Sequence, residues 1–220
     1  TSATKTKIPC NDPKAAHEVV NRLKHAGISI QAATIVRDLG LDCGIGKRRS
    51  VAIAKRRMGK ATLRITRMRT LLRITPAASK LYNNGIRSVQ QYAHQAFGAS
   101  PSCLRNWTTA AAKGTSAFFR GGCSSLAIEL ELNIETHPWF LAPKEQFATW
   151  VRLWAEASPT ARASIKKAWL RLYVAMASAP SPWQLAKGPM GATIALLLHF
   201  KWRPLAPDAW LEPAPSTDTW

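Results

Sequence analysis

Arg49, Arg56, Lys60 and Arg67 recur at intervals of seven, four and seven residues, so on an α-helix they stand in one row. Arg57 and Arg64 flank that row, and Lys47 and Arg48 lie just ahead of it. The chemistry open to such a row is charge-assisted hydrogen bonding to anionic oxygens, phosphates above all. These eight side chains form the candidate nucleic-acid-binding set. They belong to a stretch between Asp42 and Glu129 that has no acidic residue, yet holds sixteen of the 31 lysines and arginines. Eleven of the sixteen fall between Lys47 and Arg73. The flanks are nearly balanced, with six bases against four acids before the stretch and nine against eight after it. The formal net charge of +19 is therefore a local field. A solvated structural run of cations normally carries acids four residues away to offset self-repulsion. Their absence here points to a polyanionic partner, with nucleic acid ahead of an anionic membrane or a bland basic surface.

Chemistry that needs converging acids is not legible. Metal-assisted phosphoryl transfer requires two or three carboxylates around the ions, and the only aspartates are Asp12, Asp38, Asp42, Asp208 and Asp218. Asp38 and Asp42 share one face of an expected strand, where a structural or solvated role is the simpler reading. No phosphate-binding glycine loop, nucleophile elbow or His-Glu-x-x-His pair occurs. Cys10, Cys43, Cys103 and Cys123 are spaced far from any metal-finger pattern, which predicts reduced thiols in an intracellular protein. The expectation is no catalytic residue, no metal ligand and no cofactor within this segment.

The cations need a scaffold, and the most regular periodicity of the chain supplies it. Val51, Ala54, Met58, Ala61, Ile65, Met68 and Leu72 alternate spacings of three and four, predicting a helix of about 25 residues with one apolar edge opposite the cation row. Gly59 inside it marks a candidate bend. Ahead of it, Asp12-Pro13 is a helix start, and Ile28 to Cys43 reads as a hairpin or strand pair. Behind it, Thr75-Pro76, Ser100-Pro101, Ser158-Pro159 and Ser181-Pro182 open further helices. Asn83-Asn84-Gly85 reads as a turn, with helices on Pro76 to Asn83, Arg87 to Phe97 and Pro101 to Ala112. Gly114 and Gly121-Gly122 read as breaks. The apolar run Met190 to Leu198 is about half a membrane span and predicts a buried helix, so no membrane partner is expected.

The expected fold class is mainly α, a helical bundle preceded by a small N-terminal α/β part made of a helix and a β-hairpin. Four segments are expected: residues 1–46, the α/β part; 47–128, the basic helical part; 129–203, a helical region rich in tryptophan; and 204–220, an extended proline-rich tail. Eight of the nine tryptophans lie at or after Trp139. Phe147, Trp150 and Trp154 share one helix edge, which favours a core over base stacking or a protein-partner patch.

The order of these pieces resembles the downstream palm and thumb region of reverse transcriptases from non-long-terminal-repeat retrotransposons, of the divergent protist type. Lys5-Thr6-Lys7 looks like that family's turn after its catalytic strands, and Asp12 to Ala26 like the following helix. Val36-Arg37-Asp38-Leu39-Gly40-Leu41-Asp42 is similar to the primer-grip hairpin, with Asp38, Leu39 and Gly40 at the grip and Asp38 replacing the usual aromatic. Lys47-Arg48-Arg49 and the helix after it resemble the thumb. Lys80-Leu81-Tyr82, Gly85-Ile86, Tyr92-Ala93-His94, Phe97-Gly98-Ala99-Ser100 and Leu104-Arg105 follow the post-thumb pattern. The resemblance spans roughly residues 5–135 and implies an RNA-directed DNA polymerase whose catalytic aspartates, and the Mg²⁺ they hold, lie upstream of Thr1. This segment would bind the template–primer duplex, RNA or DNA, without polymerising. It also implies an intracellular, nuclear location. The rival expectations are a non-enzymatic RNA-binding protein, organellar ribosomal or RNA-processing, and a scaffold whose Trp-rich C-terminal half holds a protein partner.

Overall fold

The computed structural model describes residues 7–9, 12–33, 35–38, 41–44, 48–115, 122–132 and 134–213, and they divide between Arg57 and Met58 into two compact units. In the first, strand β1 (Lys7–Pro9) pairs in parallel with β2 (Gln31–Ala33) across helix α1 (Pro13–His25). Asp12 caps α1 by accepting from the Lys14 amide at 2.9 Å, with Pro13 at the first helical position. The helix stops where Gly27 takes φ +77°, a left-handed conformation that glycine adopts without steric cost. Strands β3 (Ile35–Asp38) and β4 (Leu41–Gly44) form an antiparallel hairpin, Ile35 opposite Gly44 and Asp38 opposite Leu41. Asp38 and Asp42, expected on one face of a single strand, thus fall on two: Asp38 in β3 opposite Leu41, and Asp42 in β4 opposite Arg37. Leu39 and Gly40 lie outside the described residues.

Helix α2 spans Ala52–Leu72, 21 residues, shorter than the expected 25 because it begins after Arg49 and Ser50. Its apolar edge is real in the second unit: Ala61, Ile65, Met68 and Leu72 are buried in a cluster with Ala78, Tyr82, Ile86, Ala110, Ala111, Ala112 and Ile128. Val51 and Ala54, at the head of the same stripe, are exposed. After α2 comes a 3₁₀ turn (Pro76–Lys80) and then a π-helical segment, Tyr82–Arg87. Asn83-Asn84-Gly85 is therefore no turn. Tyr82 and Ile86, buried to 2% and 3% exposure, are held on one side of the coil by the same core that holds α2, and that burial overrides the local turn preference.

The expected helix from Arg87 to Phe97 is split into α3 (Ser88–Gln90) and α4 (His94–Phe97) by Ala93 at φ 61°. Helix α5 runs Pro101–Thr115 straight through Gly114, which is no break. A Cβ there would stand 2.7 Å from Tyr82 Cδ2, so glycine is required by close packing, not by a chain reversal. Helices α6 (Ser124–Glu131), α7 (Pro138–Glu156), α8 (Pro159–Ala177) and α9 (Gly188–His199) complete the helical part. Ser158 caps α8 by accepting from the Ala161 amide at 3.2 Å. In α9, Gly191 to Leu197 are all buried, and no described helix is long and apolar enough to cross a membrane. The fold is mainly α.

Residues 204–220, expected as an extended tail, begin instead with an antiparallel hairpin of β5 (Arg203–Ala206) and β6 (Ala209–Leu211). Two indoles fasten it: Trp150 Nε1 donates to the Pro207 carbonyl at 2.8 Å and Trp169 Nε1 to the Pro204 carbonyl at 2.9 Å. The two rings lie 5.2 Å apart in a core with Met176, Ala186, Ile194, Ala195 and Leu197. Trp107, Trp150 and Trp169 are buried at 4% exposure or less, as the helical spacing suggested for Trp150. Residues 214–220 lie outside the described residues.

Candidate nucleic-acid interface

Along α2 the buried edge fixes where every other side chain points. At about 100° per residue, Lys60 and Arg67 stand roughly 110–130° from the centre of that edge, and both are exposed. Arg56, at the end of the first unit, is exposed as well. Among the described residues ion pairs join Glu18 to Arg22 and Glu145 to Arg87 and His94, and Lys60 and Arg67 belong to none of these. Exposed cationic heads beside one another on a packed helix can meet successive phosphates without rearrangement of the fold.

The other expected members separate from this row. Arg48 is exposed and Arg49 half-buried, but both precede α2, so Arg49 does not extend the helical row. Arg57 is half-buried beside the apolar edge. Arg64 is exposed, and its Nη1 donates to the Gly85 carbonyl, tying α2 to the π-helical segment. Part of its role is therefore structural. Lys47, Leu39 and Gly40 lie outside the described residues, and for Asp38 the structure places only the backbone, opposite Leu41. Arg48, Arg49, Arg56 and Arg57 belong to the first unit; Lys60, Arg64 and Arg67 belong to the second.

A second polar constellation was not legible in the sequence, because its members come from three elements. His94 is 6% exposed. Its Nδ1 lies 2.6 Å from the Gln91 carbonyl and its Nε2 lies 3.0 Å from Glu145 Oε2. Glu145 Oε2 also accepts from Gln95 Nε2 at 2.8 Å, across fifty residues of chain. Arg87 Nε donates to Gln91 Oε1 at 3.3 Å, and its Nη2 stands 3.8 Å from Glu145 Oε1. Burial pulls the His94 pKa below its ordinary value, while the Gln91 carbonyl and Glu145 oppose that shift. Both ring nitrogens face oxygen acceptors, so the 3.0 Å contact is attractive only with a proton between Nε2 and the carboxylate. Nearby, burial pushes the Tyr82 phenol well above its ordinary range, and its hydroxyl donates to Gln90 Oε1 at 3.1 Å.

No protein-family model, curated protein or solved structure matches the chain. What these surfaces do follows from their own chemistry. No group of three or more His, Cys, Asp or Glu side chains among the described residues is placed to hold a metal ion. Cys103 and Cys123 carry no disulfide.

Proposed function

We propose that this protein binds nucleic acid through the phosphate backbone, with the exposed cations of α2 as the contact row. The observation that carries the reading is the division of one helix: Ala61, Ile65, Met68 and Leu72 are buried, while Lys60 and Arg67 are exposed in a stretch of sequence that contains no acid. From Lys60 to Arg67 the pair covers about 10 Å of helix axis, enough for on the order of two phosphates. The order of motifs from Lys5 to Arg105 supports a more specific assignment, to the thumb-bearing segment of a retroelement RNA-directed DNA polymerase that grips a template–primer duplex. In that assignment the catalytic carboxylates are supplied by sequence upstream, and a Tyr/Phe-x-Asp-Asp strand encoded shortly before Thr1 is the observation that supports it. A start codon at that place instead favours a free-standing RNA-binding protein.

The test is the salt dependence of binding. Each neutralised phosphate steepens the slope of log affinity against log salt by about 0.9 for duplex DNA. Replacing Lys60 and Arg67 together by alanine should flatten that slope by roughly 2 units. Affinity for unrelated sequences should fall about equally, because phosphate contacts carry no base information, and the melting temperature should barely move. An unchanged slope overturns the assignment of these residues. A loss confined to one sequence replaces phosphate contact by base-edge readout.

A further inference from the structure

In the second unit a cleft of about 510 Å³ opens beside the π-helical segment and α7. Several departures from ordinary backbone and side-chain economy converge on it. Arg87, on its wall, closes the π-helical turn, and such turns occur frequently at functional sites. Ala93, also on the wall, holds φ 61° and ψ 20°, a left-handed conformation that a residue with a Cβ adopts only where its surroundings impose it. A buried imidazole faces a carboxylate at 3.0 Å.

The polar atoms of the cleft are held in place but not used up. Glu145 Oε2 is taken by Gln95 and His94, and Arg87 Nε by Gln91. That leaves Glu145 Oε1 and Arg87 Nη2 facing each other at 3.8 Å, beyond hydrogen-bond reach. Their side chains are 33% and 24% exposed. A donor and an acceptor are thus presented side by side to the same opening, each oriented by a second partner. Tyr92, 51% exposed, lines the same cleft.

A planar group that carries a hydrogen-bond acceptor next to a donor and stacks on a phenol ring fits this arrangement. The Watson–Crick edge of a nucleobase is such a group, and it is available only when the base is unpaired. We infer that the cleft receives one unpaired base of a nucleic-acid strand, held between the Arg87–Glu145 pair and the Tyr92 ring. This rests on the phosphate-binding reading of α2, and the two surfaces share a framework: Arg64 of α2 donates to the Gly85 carbonyl and Gln90 Nε2 to Met58 Sδ. The protein then recognises a junction where a duplex becomes single-stranded.

The experiment compares a labelled blunt duplex, the same duplex with a five-nucleotide overhang, and the pentanucleotide alone, each titrated with the full chain at fixed salt. The overhang should raise affinity about tenfold, the contribution of one well-stacked base. Tyr92→Ala should abolish that gain and Glu145→Gln should reduce it, both leaving blunt-duplex affinity unchanged. Lys60→Ala with Arg67→Ala should instead lower affinity for both duplexes in parallel. An overhang that adds nothing, or a gain that survives in both cleft variants, overturns the inference while leaving the α2 reading intact. If the blunt duplex fails to bind, the α2 reading fails, and the pentanucleotide decides the cleft by itself: Tyr92-dependent binding supports it and no binding overturns it. Displacement of the pentanucleotide by a free amino acid, whose carboxylate and ammonium would also bridge Arg87 and Glu145, reassigns the cleft to a zwitterionic small molecule.

Discussion

Gly114→Ala sets two well-measured effects against each other. In a helix interior, alanine is favoured over glycine by about 0.8–1.0 kcal/mol, so helix propensity alone predicts a more stable protein. At Gly114 the added Cβ would meet Tyr82 Cδ2 at 2.7 Å and Cε2 at 3.3 Å. The ring has little room to retreat. Tyr82 is 2% exposed, its hydroxyl is bound to Gln90 Oε1, and the Gln90 amide is itself engaged with Met58 Sδ. Overpacking of this kind costs about 1–3 kcal/mol, so the net expectation is a loss of about 1 kcal/mol, or about 2–4 °C in melting temperature for a unit of this size. Gly59→Ala is the matched control, because nothing lies within 4 Å of a Cβ there and the residue is exposed on α2. That variant should gain about 1 kcal/mol. Urea unfolding followed by tryptophan fluorescence measures both. A Gly114→Ala protein as stable as the parent, with the Gly59→Ala gain in place, would refute the packing described for Tyr82.

Ile65→Asp places an unpaired carboxylate at a position 7% exposed and should cost several kcal/mol, on the order of the burial penalty for an isolated charge; Lys60→Ala on the outer face should leave the melting temperature within about 2 °C. Stability should fall as pH drops below roughly 6.5. His137 Nδ1 accepts from the Trp139 amide at 3.3 Å and so caps α7, a role that requires an unprotonated nitrogen. Burial holds the pKa of His137, like that of His94, below its ordinary value. The unfolded chain therefore takes up protons first, and stability present above the unfolded pKa is lost as pH falls through the folded values. Unfolding free energies at pH 7.5 and 5.5 measure this, and His137→Asn, which keeps a capping acceptor but does not titrate, should shrink the difference. An equal or larger difference in that variant would remove His137 as the cause.

Where the determinant was local, the sequence disclosed the structure. Asp12-Pro13 and Ser158-Pro159 start helices as expected because a side-chain acceptor and a proline act within one turn. The stripe from Ala61 to Leu72 marks the buried edge of α2, because burial on a helix must repeat every three or four residues. The cation row was legible for the same reason, though the start of α2 at Ala52 removes Arg49 from it; Ser50, whose Oγ accepts from the Ala52 amide at 3.5 Å, is the local signal of that start that the sequence reading passed over. Long-range packing hid the rest. Asn83-Asn84-Gly85 carries turn residues, but Tyr82 and Ile86 on either side are captured by a core that α2 and α5 build. Gly114 reads as a break until Tyr82 is placed against it. The contact of Gln95 with Glu145 spans fifty residues, and nothing in either neighbourhood names the other.

The indoles that fasten the C-terminal hairpin also decide what that hairpin cannot do. A two-stranded ribbon exposes outer edges on which another chain can lay a strand, the common route to edge-to-edge aggregation. In β5, Pro204 has no amide hydrogen to offer, and its carbonyl is already occupied by Trp169. At the bend, Pro207 repeats the arrangement, its carbonyl taken by Trp150. An incoming strand would find neither donor nor free acceptor at these two positions, so the ribbon is a poor template for growth. Stripping either indole would reopen a backbone carbonyl in the segment, and solubility on heating would register the change as well as stability.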